Sequence, residues 1–238
     1  MATFYARPEL HTYLDAPLDV YHHSIVETLL DRFCLGPGVR VLEVGAGSGR
    51  YTAALLKRGL RVVAVEPDPV LCRKLRDQLA GARDARIVEG PIGATEGREP
   101  LDLVCGFHVL HHFDEAALLA LAASIRRASD GNPGFRGWFF MEPNPWNPLY
   151  PLQVALWPGM RFREERGIWR TDYDRIFASV GVRFSVLGHI GALPPPLCRL
   201  LPQRWLLQLA PRLRKGPSLA LYRVVGDAER RANASASL

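Results

Sequence analysis

A glycine-rich stretch with an acid in front of it is the part of the sequence best suited to bind a ligand. Three alternating glycines, Gly45 to Gly49, follow Glu43 and a short apolar run. Glycines allow a sharp turn and leave main-chain amides accessible, and a helix that starts there adds partial positive charge. An amphipathic pattern from Tyr51 to Lys57 predicts that helix. The stretch therefore predicts a strand, a turn and a helix that hold a nucleotide-like ligand.

The residues around the glycines narrow the choice of ligand. A dinucleotide fingerprint needs a third glycine where this chain has Arg50, and the Gly-Lys-Ser/Thr of a triphosphate loop is absent. Glu43 would repel a diphosphate but would attract a ligand that carries an ammonium or a sulfonium group. The sequence therefore favours a cationic nucleoside ligand.

The stretch from Glu43 to Gly49 resembles motif I of the class I methyltransferases that use S-adenosylmethionine. In that family the glycine turn lies under the methionine half of the cofactor, and an acid one strand later binds both ribose hydroxyls. Here the next apolar run ends in Glu66, 23 residues after Glu43. A ribose-binding acid is expected roughly 20 residues after the turn, by analogy with the dinucleotide unit.

The resemblance implies a cofactor site built at four successive strand ends. Its residues are Glu43, Gly45, Ala46, Gly47, Gly49, Tyr51, Glu66, Pro67, Gly90, Pro91, Ile92, Phe107 and His108. Many family members carry a Gly-Asp pair after the third strand, where the aspartate binds the adenine amino group, but here Pro91 follows Gly90. Either Glu89 or the main chain around Ile92 is therefore expected to contact adenine.

Three histidines, at positions 108, 111 and 112, follow the predicted fourth strand. In doubly wound sheets the ligand lies at the carboxyl ends of the strands, so these side chains are expected near the transferred methyl group. Histidine suits a general base at neutral pH, and we assign that role to His111 or His112. A metal-free site is favoured, because the nearby sequence offers no further obvious ligand.

The order of apolar runs predicts an α/β fold: a Rossmann-like, doubly wound, seven-stranded sheet with an antiparallel seventh strand and helical lid insertions. The predicted strands are 39–44, 62–65, 86–89, 101–105, 137–141, 182–187 and 219–225. The whole chain, 1–238, is interpreted as one domain, long enough for one full α/β unit. Its parts outside the sheet are an N-terminal helical cover at 1–35, insertions at 149–170 and 188–217, and a disordered tail at 227–238.

The parts outside the sheet are where the acceptor is expected to be selected. Tyrosines in the cover, Tyr5, Tyr13 and Tyr21, could surround the sulfonium or simply pack the helix on the sheet. The 149–170 insertion interleaves arginines with aromatics, which suits an acidic or aromatic substrate or a solvated helix. The basic, apolar 188–217 insertion suits a membrane surface or greasy substrate, and equally a pocket cover or dimer face.

Composition narrows the expected cellular location and the expected binding partners of the protein. An apolar fraction of 48%, four dispersed cysteines and no long apolar run predict a cytoplasmic protein without disulfides or a structural zinc. The net charge of +6 fits an RNA partner, but no recognisable RNA-binding module or lysine tract accompanies it. The histidines after strand 4 exclude the motif of enzymes that methylate exocyclic base amines, so a DNA substrate is not expected.

The resemblance implies an S-adenosylmethionine-dependent methyltransferase that releases S-adenosylhomocysteine. The expected acceptor is a small molecule, a natural product or a lipid-linked or aromatic metabolite, of apolar or anionic character. Glu142-Pro143-Asn144 after strand 5 resembles a turn in methyltransferases of natural-product and cell-surface glycan biosynthesis. The reaction is expected to be a direct in-line displacement at an oxygen, nitrogen or carbon. The alternatives are an RNA methyltransferase and a non-catalytic binding scaffold with the same fold. The sequence leaves the oligomeric state open.

Overall fold

A computed structural model describes residues 18–95, 100–156, 160–192, 200–209, 213–215 and 220–228 of the 238-residue chain. Seven strands form one sheet: β1 Arg40–Val44, β2 Arg61–Glu66, β3 Ala85–Glu89, β4 Leu103–Phe107, β5 Gly137–Pro143, β6 Ser185–Ile190 and β7 Tyr222–Ala228. The described α-helices are α1 Val20–Arg32, α2 Arg50–Lys57, α3 Pro69–Gln78, α4 Glu115–Gly131, α5 Leu149–Leu156, α6 Phe162–Glu165, α7 Tyr173–Ala178 and α8 Gln203–Leu209. Short 3-10 turns occur at Ile92–Thr95, Leu110–His112 and Arg166–Trp169.

The strand order is β3-β2-β1-β4-β5-β7-β6, with β7 antiparallel to both of its neighbours. The other pairings in the sheet are parallel. This confirms the predicted Rossmann-like sheet with an antiparallel seventh strand. The order reverses between β1 and β4, so the carboxyl ends of these two strands flank the crevice where such sheets bind ligands.

The central strands are apolar along their whole length because helices cover both faces of the sheet. Alternate residues of β4 and β5 therefore enter two separate cores. Cys105 and Phe139 pack with α1 and α2, whereas Val104 and Phe140 pack with α4 and α7. Two fully packed faces hold the strand ends in fixed positions beneath the site.

Three strands, β4, β6 and β7, begin two or three residues later than predicted. β4 lies two residues later, because Asp102 is occupied before the strand by Arg40 and Asn132. β6 continues to Ile190 on β7 after a bulge, so the first residues of the predicted 188–217 insertion belong to the sheet. β7 includes Asp227 and Ala228, the first two residues of the predicted tail.

Parts of the predicted cover and insertions lie outside the described residues, including Tyr5, Tyr13, Trp157 and the prolines at 194–196. In the described part of the cover, α1 packs against α8. Leu206 of α8 is buried there, whereas Trp205 is half exposed. In the described ranges we find no helix that combines the length and the apolar character needed to cross a bilayer.

Candidate active site

The glycine turn after β1 is closed by main-chain hydrogen bonds to the end of β2. The amides of Gly45 and Ala46 both donate to the carbonyl of Val65, at 2.9 and 3.1 Å. Gly45 has φ +69°, and a Cβ on it would lie 2.2 Å from a methyl group of Val109. Gly47 has φ +59°, but a Cβ there would meet nothing within 4 Å. The turn is thus tightly packed at Gly45 and open at Gly47.

Glu66 ends β2 and reaches across to the glycine turn. Its carboxylate accepts the amide of Gly47 at 2.8 Å through Oε2 and the amide of Asp68 at 2.9 Å through Oε1. The side chain is buried, and this burial raises the pKa of the carboxyl above its ordinary value. Each carboxylate oxygen can accept a further hydrogen bond, so Glu66 can hold the turn and accept from ribose hydroxyls together.

Glu43 lies beneath the turn, within β1, and is 1% exposed. Its Oε2 has no hydrogen-bond partner. Burial, aided by the nearby charge of Glu66 and opposed by the Thr52 hydroxyl, raises the pKa of this carboxyl to about 8. A buried carboxyl with an unpartnered oxygen is costly unless a donor meets it. A cationic or hydrogen-bond-donating ligand in the turn would relieve that cost.

The glycine turn therefore fits the methionine half and ribose of S-adenosylmethionine. The open side of Gly47 gives a ligand access to the main chain, Glu66 presents acceptor oxygens, and Glu43 supplies an unpartnered acceptor. The predicted residues Gly45, Ala46 and Gly49 shape the turn, and Gly49 is the N-cap residue of α2.

An aromatic cluster covers the carboxyl end of β4. The rings of Tyr51 and Phe107 stack with centroids 4.1 Å apart, and the ring of His108 packs edge-on to Tyr222 at 4.9 Å. His108 has φ +56°, an unusual conformation for a residue other than glycine. Burial lowers the pKa of His108 to about 3, so its imidazole is neutral. The structure thus brings three predicted cofactor residues, Tyr51, Phe107 and His108, together.

The predicted adenine side is formed by the end of β3 and the turn after it. The amide of Gly90 donates to the carbonyl of Glu66 at 3.0 Å, and Ile92 is buried in the core. Pro67 and Pro91 are exposed. The Glu89 carboxylate binds Arg76 at 2.9 Å. Because Glu89 already has this partner, the main chain around Ile92 is the better candidate for the adenine contact.

His111 lies between two carboxylates rather than beside the glycine turn. Its Nδ1 is 2.5 Å from Glu142 Oε2, and its Nε2 is 3.3 Å from Glu165 Oε2. Burial alone would lower the pKa of His111, but the charges and hydrogen bonds of Glu142 and Glu165 raise it. Each ring nitrogen of His111 therefore already faces a carboxylate of the protein, which weighs against the predicted base role for it.

The two carboxylates come from different parts of the chain. Glu142, at the end of β5, accepts the amides of Val109 and Leu110 at 3.0 and 2.9 Å. Glu165, at the end of α6, accepts the hydroxyl of Tyr150 at 2.6 Å. Both acids are almost fully buried. The set ties the 149–170 insertion to the ends of β4 and β5.

His112 and Glu165 overturn the reason for expecting no metal. One potential ligand atom from each of His111, His112 and Glu165 lies within 4.8 Å of the others. The metal-free prediction rested on the lack of a further ligand in the nearby sequence, whereas the structure places Glu165 of the insertion beside the two histidines. Burial and the charge of His111 lower the pKa of His112 to about 4.

A cavity of about 780 Å³ opens beside the two histidines. The insertion contributes Arg163, Arg166 and Trp169 to its wall. Sequence reasoning missed Glu165 because no local motif marks it. The signal for Glu142 was present in the Glu-Pro-Asn turn, which the resemblance identified without a role for the acid.

Comparison with known proteins agrees with this geometry. Residues 41–130 match the family described as a methyltransferase domain. That match spans the glycine turn, Glu66 and all three histidines. Together with the sheet order it confirms the predicted resemblance to the class I methyltransferases that use S-adenosylmethionine, over the part of the chain that carries the glycine turn.

Curated relatives resemble this chain only in part. An uncharacterized methyltransferase of Geobacillus kaustophilus is 32% identical over 96 residues, 40% of this chain and 42% of the relative. A ribosomal RNA small subunit methyltransferase A of Thermosynechococcus vestitus is 50% identical over 58 residues, 24% of this chain and 22% of the relative. This chain thus spans less than half the length of these two relatives.

Among solved structures, the glycopeptide N-methyltransferase MtfA complexed with sinefungin matches with a TM-score of 0.54 at 17% identity. The match covers 86% of this chain and 92% of that one. At this identity the likeness concerns the fold.

Proposed function

We propose that this protein transfers the methyl group of S-adenosylmethionine to a small-molecule acceptor. The observation that carries the proposal is the open glycine turn, where the Gly47 amide donates to Glu66 and where the preceding strand carries the unpartnered oxygen of Glu43. The structural likeness to a glycopeptide methyltransferase agrees with an acceptor other than RNA. The short match to ribosomal RNA methyltransferases covers only 24% of this chain and does not favour an RNA acceptor.

Different residues around the turn bind different parts of the cofactor. S-adenosylmethionine, when bound, supplies an activated methyl group on a sulfonium. Glu43 accepts from the ammonium end of the methionine part, and Glu66 accepts from the ribose hydroxyls. The main chain around Ile92 contacts adenine.

The aromatic cluster of Tyr51, Phe107, His108 and Tyr222 borders the reaction centre and excludes water from it. Rate enhancement then comes from alignment and desolvation, so no covalent intermediate with the protein is needed. The neutral imidazole of His108 belongs to this cluster, whereas His111 is held between Glu142 and Glu165.

An assay with methyl-labelled S-adenosylmethionine tests the proposal. The acceptor panel contains phenols, carboxylic acids, amines and small-subunit ribosomal RNA, and the readouts are label transfer and S-adenosylhomocysteine formation. We expect label in a small molecule and none in RNA. Label in RNA alone would support the RNA alternative, and cofactor binding without transfer to any acceptor would support the scaffold alternative.

A further inference from the structure

We propose that His111, His112 and Glu165 bind a divalent transition-metal ion of the Zn²⁺ class. One ligand atom of each residue lies within 4.8 Å of the other two, and the two imidazole rings have centroids 4.0 Å apart. Two imidazoles and a carboxylate form a donor set that zinc enzymes use, with the fourth position left for water or substrate. This site is separate from the glycine turn and does not depend on the proposed methyl transfer.

His111 is oriented as a metal-binding histidine would be. Its Nδ1 is held by the buried Glu142 carboxylate at 2.5 Å, which leaves Nε2 directed at Glu165. Metal-bound histidines almost always donate their second ring N–H to a carboxylate, a main-chain carbonyl or water. Glu142 is fixed in turn by the amides of Val109 and Leu110.

His112 is oriented by the main chain rather than by a carboxylate. Its ring forms a hydrogen bond with the main chain of Glu164. A neutral imidazole that donates through one nitrogen carries its lone pair on the other, which is the atom that binds a metal. The two histidines therefore use the two kinds of protein partner that orient ligands in known metal sites.

Glu165 completes the set at a suitable distance. Its Oε2 lies 3.3 Å from His111 Nε2 and accepts the Tyr150 hydroxyl at 2.6 Å. Two ligands of a tetrahedral ion with bonds of about 2.0–2.1 Å are about 3.3 Å apart. A divalent ion would also supply positive charge to the two buried carboxylates, Glu142 and Glu165, that lie on either side of the His111 ring.

The cavity beside the histidines gives the ion an accessible side. His111 and His112 both line this space of about 780 Å³. An ion with three protein ligands keeps a position for water or for an oxygen of a bound molecule. In the described residues the buried thiols, Cys72 and Cys105, belong to other parts of the fold, so the site has a nitrogen and oxygen donor set.

Metal titration of the full chain tests the site without any cofactor or acceptor. After treatment with a chelator and dialysis, the protein is titrated with Zn²⁺ by calorimetry and with Co²⁺ by visible absorption. We expect one equivalent to bind with micromolar or tighter affinity, with the intense d–d absorption of a four-coordinate cobalt ion. We also expect Zn²⁺ to raise the Tm of the wild type, because it binds the folded state.

Variants distinguish this site from adventitious binding. His112→Asn and Glu165→Gln should each weaken metal binding at least tenfold and abolish the increase in Tm. Glu142→Gln should weaken it about 10–100-fold through the orientation of His111. Glu164→Gln, which changes the neighbouring acid, should bind normally.

The ion pairs that join Glu142, His111 and Glu165 do not include His112, although its ring packs against His111. His112→Asn is therefore the variant expected to fold like the wild type. Its circular dichroism spectrum checks this. The absence of a stoichiometric site in the wild type, or normal binding by both His112→Asn and Glu165→Gln, would overturn the proposal.

Discussion

Glu43 and Glu66 differ in the way each buried carboxyl is satisfied. Glu66 accepts two main-chain amides, whereas one oxygen of Glu43 has no partner in a nearly inaccessible position. Glu43 therefore retains its proton to about pH 8 in the folded protein, although a carboxyl in the unfolded chain loses its proton near 4.5. Because the pKa of Glu43 differs between the folded and unfolded states, the stability of the protein should depend on pH.

We predict that Glu43 makes the cofactor-free protein less stable as the pH rises from 5 to 8. In that window the unfolded state releases a proton that the folded state still holds, so the free energy of unfolding falls. Over this window of about three pH units, the free energy of unfolding should fall by at most about 4 kcal/mol. Urea unfolding of the wild type and Glu43→Gln at both pH values measures it. The variant should lack this part of the decrease, and identical pH dependence in the two proteins would contradict the interpretation.

Among the elements, the glycine turn uses one glycine for packing and another for ligand access. Gly45→Ala would drive a methyl group into Val109, in a backbone conformation that side chains avoid. We expect a loss of about 2–4 kcal/mol in stability. Gly47→Ala has room for its methyl group, so it should lose only about 1 kcal/mol yet weaken S-adenosylhomocysteine binding at least tenfold.

Gly81→Ala is the matched control for this pair, because Gly81 also has a positive φ and open space around its Cβ position. It should lower stability like Gly47→Ala and leave ligand binding unchanged. Unfolding curves and calorimetric titration of the three variants decide the matter. Normal ligand binding by Gly47→Ala would mean that the open side of the turn does not face the cofactor.

The end of β5 is coupled to the turn after β4 by one side chain. Glu142 accepts the amides of Val109 and Leu110 and the imidazole of His111. Glu142→Gln removes the charge from this buried pair and places amide hydrogens where donors already converge. We expect a loss of about 3–5 kcal/mol in the free energy of unfolding. Glu115→Gln, at an exposed pair with Arg175, should lose less than about 1 kcal/mol. Equal losses would contradict a special role for Glu142.

The sequence predicts the secondary-structure elements better than it predicts which side chains of different elements contact each other. The acid Glu66 and the glycine turn are adjacent in the structure because successive parallel strands end at one edge of the sheet, a rule that sequence spacing captures. Glu165 could not be found in this way. It reaches His111 from an insertion whose path depends on packing of Tyr150 and Ile168 and not on a periodic pattern.

At the scale of the whole molecule, the sheet carries two distinct sites at the carboxyl ends of its strands. The glycine turn, Glu43 and Glu66 lie within the segment that matches the methyltransferase domain, and we propose that they bind the methyl donor. The histidine and carboxylate cluster depends on the 149–170 insertion, which is outside the matched segment 41–130. We therefore expect donor binding to be insensitive to changes in the insertion, whereas acceptor choice should depend on them.

Calorimetric titration with S-adenosylhomocysteine measures whether the glycine turn binds the methyl donor. The wild type should bind with micromolar or tighter affinity, and Glu66→Ala should weaken binding by ~1–3 kcal/mol through loss of the ribose acceptor. Glu89→Ala, which lies opposite Glu66 on β3 but binds Arg76, should retain affinity if its Tm shows it to be folded. No binding by the wild type, or equal affinity of the wild type and a folded Glu66→Ala, would contradict the account of the donor site.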